Sequence, residues 1–445
     1  MLIKINLIYL ISIGYLICSQ SEFLCMYTHT QQMSSTFVSH MAIWKFLIFG
    51  ILFTNIPFIQ SDQNTIDCTA LLHSNVNQKK LEYAKTWQPL RNESFTDSQM
   101  YQNIHQNCSN FLENQNYFLQ FPNTTEEENF RIAFTIVTFK SGSQIERLLR
   151  TIYRPWNYYC IHIDKKSDKK FTEALEELVK CLNSRYKNII NTESRVDVQW
   201  GKMSVLTADL NCMKELYERF KDWKYLINLT GQEFPLKTNR ELVKILKAYK
   251  GANNLEGTYK RRNEYRVPTV KMPFPLIWYK GSVHITVNRD FIKFIFGSPK
   301  SQVILKALKG RHVADEQFFA TLNHNPQFRI PGSFIGDPDD LELEKQPLIN
   351  FMTRYKNWGE YTCESKLIVR GICIWGVGDI PKLVKVPHLF TNKFYEDFQP
   401  ATLRCMEEWY YDKINKEIQN NGVNINETFY STLPFVVHQF IPPTL

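Results

Sequence analysis

Glu316 is the residue of this chain whose surroundings best suit proton transfer. It lies in Ala-Asp-Glu-Gln-Phe-Phe-Ala-Thr, residues 314–321, a segment of helical character that is otherwise apolar. A carboxylate beside aromatic rings has a raised pKa, and this suits a general base near neutral pH. The alternative is an acid favoured by the dipole at a helix N-terminus, and Asp315 fits that alternative better. Glu316 is therefore the candidate base.

Two cations in apolar surroundings could stabilise a departing phosphate group. Arg370 lies in Val-Arg-Gly-Ile-Cys-Ile-Trp-Gly, and Lys393 lies in His-Leu-Phe-Thr-Asn-Lys-Phe. The guanidinium group can contact phosphate through two hydrogen bonds, and the ammonium group supplies a compact charge. By residue type alone, either is more often a surface charge.

Two aspartates have the spacing that many metal-dependent transferases use. Asp337-Pro-Asp339 is the only Asp-x-Asp sequence in the chain, and it follows Pro331-Gly332-Ser333. Because a proline interrupts it, we interpret it as a surface loop and expect no metal there.

A polar turn follows a short apolar run at residues 225–229. Thr230-Gly231-Gln232-Glu233 ends this run, Gly231 permits a tight backbone, and Pro235 should stop any further ladder. Such a strand would deliver polar side chains to the edge of a sheet, where open α/β sheets bind ligands. An ordinary strand-to-helix turn is the alternative.

The apolar periodicity from residue 132 onward predicts alternating strands and helices, and hence a mainly parallel sheet. The first half is predicted as strands at 132–139, 158–163, 189–190 and 225–229, with helices at 143–153, 171–182 and 205–220. The second half is less regular, with strands predicted at 284–287 and 367–375 and helices at 290–296 and 315–322.

Several segments together resemble the core-2/I-branching β-1,6-N-acetylglucosaminyltransferases, most closely the core-2 type. The likeness spans roughly residues 63–410 and runs through the segment 223–239 and, in the family's order, Phe130–Lys140, Asn157–Lys166, Ala208–Lys214, Asn253–Glu256, Ala314–Thr321, Val369–Asp379 and His388–Phe394. It implies a GT-A-like α/β fold, a Rossmann-type mixed sheet flanked by helices and tied by disulfides. It also implies that Glu316 is the base and that Arg370 and Lys393 bind the diphosphate in place of a metal.

The resemblance places the donor, UDP-GlcNAc, on the first half of the chain. The expected donor residues, besides the two cations, are Val137, Thr138, Asp164, Trp200, Ser204 and Glu233. Glu233 replaces the aspartate usual in the family, so its carboxylate reaches further. Backbone N–H groups of the 200–204 loop could face the nucleotide, since helix N-termini attract phosphates.

Acceptor recognition is expected at Glu256, whose counterpart in the family binds galactose hydroxyls. Lys260 and Arg262 are placed there by the same resemblance, in a segment shorter than in core-2 enzymes. Tyr355 and Trp358 could stack on sugar rings, although the family's aromatic spacing is not matched residue for residue.

The apolar stretches near the N-terminus and the cysteines indicate a secretory-pathway protein. Apolar stretches at 5–18 and 46–59 each suit a signal-peptide core or a signal anchor, and Met41 could be the true start. We expect a tail and anchor over 1–60, a polar stem over 61–128 and a catalytic domain over 129–445. Eight cysteines after residue 60 suggest disulfides. The family pattern implies the pairs Cys68–Cys405, Cys108–Cys181, Cys160–Cys212 and Cys363–Cys373.

Composition limits the partners. The chain has 445 residues, is 44% hydrophobic and carries a net charge of +9, with its basic residues scattered rather than clustered. This argues against nucleic acid and is compatible with a nucleotide-sugar diphosphate. Five glycosylation sequons occur, of which Asn92 and Asn123 lie in polar sequence and Asn228 in an apolar strand.

The predicted function is inverting, metal-independent transfer of GlcNAc to the 6-hydroxyl of GalNAc in Galβ1-3GalNAc, on mucin-type O-glycans. The enzyme would be a single-pass type II Golgi membrane protein with a lumenal catalytic domain, and a homodimer is compatible with this assignment. Alternatives within the fold are I-branching, core-4 synthesis and protein O-xylosylation. An inactive, lectin-like glycan-binding protein is the alternative outside the class.

Overall fold

A computed structural model describes residues 65–89, 95–117, 124–340 and 347–443. Ile66–Leu445 form one compact unit, and the preceding unit, Met1–Thr65, lies almost wholly outside the described residues. The predicted tail and anchor therefore lie outside them as well. Within the part that is described, no helix is long and apolar enough to cross a membrane.

A five-stranded sheet in the order β3-β2-β1-β4-β6 forms the centre of the molecule. β1 to β4 run parallel, whereas β6 runs antiparallel to β4. A smaller sheet has the order β5-β10-β7, and β8 pairs with β9. The strands are β1 (Ile132–Thr138), β2 (Tyr158–Ile163), β3 (Ile189–Asn191), β4 (Tyr225–Thr230), β5 (Glu233–Pro235), β6 (Thr286–Asn288), β7 (Arg354–Tyr355), β8 (Ile368–Val369), β9 (Ile372–Cys373) and β10 (Phe390–Asn392).

Helices cover both faces of the central sheet, and short 3₁₀ turns lie at Glu264–Arg266, Pro326–Phe328 and Val377–Asp379. The α-helices are α1 (Cys68–Leu71), α2 (Gln78–Thr86), α3 (Asp97–Gln106), α4 (Cys108–Asn114), α5 (Thr125–Asn129), α6 (Gly142–Ile152), α7 (Lys169–Arg185), α8 (Met203–Arg219), α9 (Asn239–Ala248), α10 (Arg289–Gly297), α11 (Pro299–Ala307), α12 (Asp315–Asn323), α13 (Pro347–Asn350), α14 (Ile380–Leu383), α15 (Ala401–Gln419), α16 (Glu427–Ser431) and α17 (Pro434–Val437).

The period of two along β1 divides the core between the two faces. Phe134 and Ile136 pack with α6, α7 and α9 on one face, and Ala133 packs with α8, α10 and α12 on the other. Both faces are covered, and the parallel strands are accordingly mostly apolar, with a few buried polar residues such as Thr135 and Asn228. A third core lies under α15 and α1 and includes Trp375 and Tyr410.

The segment predicted as a stem contributes to this compact unit wherever it is described. Helix α1 is joined to α15 by the Cys68–Cys405 disulfide, and α4 is joined to α7 by Cys108–Cys181. The remaining pairs are Cys160–Cys212 and Cys363–Cys373. All four pairings are those that the resemblance implies.

The alternation predicted for residues 132–230 is confirmed, while three details differ. Residues 367–375 form the β8–β9 hairpin instead of one strand, because a two-residue turn lies inside the apolar run. The strand predicted at 284–287 begins two residues later, as β6. Residues 233–235 form a short strand, β5, that was not predicted and pairs with β10, and this strand ends at Pro235 as expected.

Candidate active site

A cavity of about 660 Å³ lies at the carboxyl ends of β1 and β4, the edge where open α/β sheets bind ligands. Predicted site residues from both halves of the chain line it together, and they are Val137, Thr138, Trp200, Glu316, Trp358, Arg370 and Lys393. The sheet and the β8–β9 hairpin therefore bring the candidate base and both candidate phosphate ligands to one cavity.

Gly231 allows the floor of the cavity to close. Its N–H donates to the carbonyl of Val137 at 3.2 Å. A Cβ at this position would lie 2.7 Å from Thr138 Oγ1 and 2.2 Å from a methyl carbon of Ile145. A side chain here would fit only if Thr138 and Ile145 shifted, so this close approach favours glycine.

Glu316 is the second residue of α12 and is partly exposed to the cavity. Its Oε2 lies 3.4 Å from Nη1 of Arg266, and its side chain is 28% exposed. Burial raises the pKa of Glu316, while the nearby cations Lys280, Arg266 and Lys356 oppose that rise. Because burial raises its pKa and nearby cations limit that rise, the Glu316 carboxylate could act as a general base.

Asp315, the preceding residue, is more deeply buried than Glu316. Burial raises the pKa of Asp315 to about 7, and the adjacent Glu316 adds to the rise. Its Oδ1 has no hydrogen-bond partner among the described residues. Both carboxylates line the cavity, so position alone does not show which of the two is a base and which is an acid favoured by the helix dipole.

Arg370 is at the tip of the β8–β9 hairpin. Arg370 and Gly371 have φ of 53° and 79°, the positive values of the two-residue turn that matches strand twist in hairpins. The Cys363–Cys373 disulfide fixes the base of this hairpin. At its tip, the guanidinium carbon lies 5.4 Å from the ring centroid of Trp200, so the hairpin holds the charge against the loop that precedes α8.

Lys393 follows β10 directly and is half-buried. Burial lowers its pKa, and the positive charge of Arg370 lowers it further. The two cations therefore lie close enough to repel each other, and an anion between them would relieve the repulsion.

The lining is strongly basic. Seven Lys or Arg side chains line the cavity, against only Asp315 and Glu316 as acids. Five of these cations were not predicted as site residues, and they are Lys140, Arg261, Arg266, Lys280 and Lys356. Arg266 lies four residues after the predicted Arg262, and Lys356 lies between the predicted Tyr355 and Trp358. Closeness along the chain to predicted residues could therefore have identified both.

Three predicted donor residues do not line the cavity. The carboxylate of Asp164 accepts from the backbone N–H of Lys166 at 3.0 Å and stabilises the loop after β2. Ser204 Oγ accepts from the N–H of Gln199. Glu233 is fully buried, with Oε2 3.1 Å from Nη2 of Arg354.

Four predicted acceptor residues also lie outside the lining. Tyr355 is buried, and its ring is stacked on Trp375, so it has no face for a sugar. Lys260 Nζ donates to the carbonyl of Asp339, and Arg262 pairs with Glu264 at 2.9 Å.

Glu256, the fourth of these residues, is exposed and lines a separate pocket of about 140 Å³. Arg261 lines both this pocket and the main cavity, so the two spaces adjoin.

The Asp337-Pro-Asp339 sequence is only partly a surface loop. Asp337 is exposed, but Asp339 is buried and accepts from the N–H groups of Tyr259 and Lys260 and from the Thr258 hydroxyl. Its oxygens thus stabilise the neighbouring turn. Across the described ranges, no group of three His, Cys, Asp or Glu side chains is arranged to hold a metal ion.

Comparison with known proteins decides the family. The sequence model described as "Core-2/I-Branching enzyme" matches residues 132–384, more than half of the chain. The chain belongs to this family.

Among curated relatives named beta-1,3-galactosyl-O-glycosyl-glycoprotein beta-1,6-N-acetylglucosaminyltransferase, the Homo sapiens protein is 31% identical over 78% of this chain and 86% of its own length. The Bos taurus protein is 30% identical over 79% and 86%. That of Bovine herpesvirus 4 (strain LVR140) is 34% identical over 69% and 74%. The predicted family and the prediction of an enzyme are confirmed.

Proposed function

We propose that this chain transfers GlcNAc from UDP-GlcNAc to the 6-hydroxyl of GalNAc in Galβ1-3GalNAc O-glycans, with inversion and without a metal. The observation that carries the proposal is the presence of Glu316, Arg370 and Lys393 around one basic cavity at the sheet edge. The names of the curated relatives support the sugar, the linkage and the O-glycan acceptor.

Glu316 acts as the base in this scheme. It takes the proton of the acceptor hydroxyl as that oxygen bonds to C1 of GlcNAc, and the bond from C1 to the UDP oxygen breaks on the opposite face. Direct displacement at C1 inverts its configuration. Arg266, at 3.4 Å, keeps the carboxylate ionised before the reaction.

Arg370 and Lys393 stabilise the departing UDP. Charge grows on the diphosphate as the C1–O bond breaks, and preorganised cations in a cavity stabilise that charge. The hairpin turn and the disulfide set Arg370, and β10 sets Lys393, so neither cation depends on the substrate for its position. The pair supplies the positive centre that a divalent metal supplies in other transferases.

Membrane anchoring in the Golgi and a homodimer remain proposals that follow from the family. The segments that would anchor the chain lie outside the described residues. Expression of the full chain with a tag at each end, followed by protease protection in sealed vesicles, would test a lumenal catalytic unit.

The acceptor is tested by an acceptor panel with linkage analysis. Purified protein and UDP-GlcNAc are incubated with glycosides of Galβ1-3GalNAc, GlcNAcβ1-3GalNAc and polylactosamine, and with a serine peptide plus UDP-xylose. We expect a β1-6 branch on GalNAc of the first glycoside. Transfer only to polylactosamine or only to GlcNAcβ1-3GalNAc would replace the acceptor by that of I-branching or core-4 synthesis.

A further inference from the structure

A buried ion pair lies beneath the cavity without lining it. Glu233 and Arg354 are 3.1 Å apart between Oε2 and Nη2, and both side chains have no solvent exposure. Taking two charges out of water is costly, and an apolar pair of similar volume is often as stable. A role in positioning the site would explain a pair retained at that depth.

Glu233 contacts strand β10, which directly precedes Lys393. Glu233 faces Asn392 in the β5–β10 register, and Asn392 Nδ2 donates to its Oε1 at 3.3 Å. Lys393 is the next residue, and its carbonyl accepts from Trp375. The pKa of Lys393 is lowered by burial and by Arg370, and the charge of Glu233 opposes that lowering. Glu233 thus both holds the strand end that carries Lys393 and offsets its charge.

Arg354 belongs to strand β7, which directly precedes Lys356. Arg354 donates to the carbonyls of Thr353 and Asn228. Two residues further on, Lys356 lines the cavity, donates to Ser282 Oγ at 3.1 Å and lies 5.4 Å from the ring centroid of Trp358. β7 also pairs with β10, so one small sheet connects both lysines to the pair.

We infer that the Glu233–Arg354 ion pair positions Lys393 and Lys356 for substrate binding, as positioning residues that touch no substrate themselves. The inference deepens the proposed function and rests on it for the identity of the ligand. Glu233 lies among three cations here, Arg354, Lys356 and Lys393. Two more titratable groups face the ion pair. His284 lies 3.4 Å from Glu233, and burial lowers its pKa well below the ordinary value. Asp209 is a second buried carboxylate near the pair, and burial raises its pKa to about 7.

The test is UDP binding by calorimetry with the full chain in detergent, together with KM and kcat for UDP-GlcNAc. Each single variant, Glu233→Gln or Arg354→Met, leaves one buried charge unpaired and is expected to be poorly folded. The double variant removes both charges and should fold. We expect its Kd for UDP to rise at least tenfold, with KM for UDP-GlcNAc rising more than kcat falls.

A double variant that unfolds at the wild-type temperature and binds UDP with wild-type affinity would overturn the inference. If the double variant does not fold, Glu233→Asp decides, because it keeps the charge and shortens the reach by one methylene. A three- to tenfold loss of UDP affinity supports the inference, and unchanged affinity refutes it.

The matched control removes the exposed α15 pair Asp412–Lys416, as Asp412→Asn with Lys416→Met, and should leave UDP affinity unchanged. Wild-type protein that binds no UDP would instead overturn the proposed function, so the two failures are distinguishable.

Discussion

The guanidinium group of Arg266 lies 3.4 Å from the carboxylate of Glu316, at the first turn of α12. The pair brings a cation from the 264–266 turn to the candidate base. Burial raises the pKa of Glu316, and Arg266 is one of three cations that oppose the rise.

Replacement of Arg266 should shift the pH dependence of the reaction. Because a neighbouring cation stabilises the ionised carboxylate, Arg266→Met raises the pKa of Glu316 further. The base is then protonated at higher pH, so the acidic limb of the pH profile of kcat/KM moves upward. A limb that stays in place or moves to lower pH would contradict this, and Arg219→Met, on the exposed side of α8, is the control.

Arg370 and Lys393 should each contribute to UDP binding. A charge-assisted hydrogen bond contributes about 1.5–3 kcal/mol, so Arg370→Ala and Lys393→Ala should each weaken the Kd for UDP by about 10- to 100-fold. The Kd of Arg370→Lys should fall between those of wild type and Arg370→Ala, because lysine keeps the charge but loses the bidentate contact. Calorimetry measures this, with the exposed Lys385→Ala as the control. Wild-type affinity in either alanine variant would remove that residue from the donor site.

Two of the disulfides should differ in what they stabilise. Cys68–Cys405 joins residues 337 positions apart, and Cys363–Cys373 joins residues 10 apart. Loop-closure entropy gives about 6 kcal/mol for the long loop and about 3 kcal/mol for the short one. Serine replacement of the first pair should therefore lower the unfolding temperature more, and replacement of the second should weaken UDP binding more, because it frees the Arg370 hairpin. The reverse ranking in either measurement would contradict this.

Asp209 should make stability depend on pH. Burial raises its pKa to about 7 from an ordinary 3.8. The folded state therefore holds this proton more tightly than the unfolded chain does, and the resulting stabilisation is complete below pH 3.8 and is lost as the pH rises to about 7. The melting temperature of Asp209→Asn relative to wild type should increase across this window. A constant difference would refute the pKa assignment, and the exposed Asp290→Asn is the control.

The first half of the fold follows from local sequence, while much of the site does not. The runs at 132–138 and 225–230 are buried on both faces, so a short and mostly apolar stretch was enough to predict each of them as a strand. The β8–β9 hairpin was missed because its turn, Arg370-Gly371, interrupts an apolar run without any other turn residue.

Long-range pairing explains why some predicted site residues do not line the cavity. Glu233 was predicted to bind the donor, but its burial depends on Arg354, which the sequence alone does not place beside it. Tyr355 was predicted to stack on sugar, yet Trp375, two residues after β9, covers its ring. Lys356 lines the cavity because β7, only two residues long, joins the small sheet, and no periodicity marks so short a strand.

The central claim is a metal-free inverting transfer with Glu316 as base, and UDP release tests it most directly. A fragment beginning near Ser61 is incubated with UDP-GlcNAc, a Galβ1-3GalNAc glycoside and EDTA, and Glu316→Gln is run in parallel. We predict release that survives EDTA and falls at least 100-fold in the variant, whose UDP affinity is unchanged. Release abolished by EDTA, or retained by Glu316→Gln, would contradict the account.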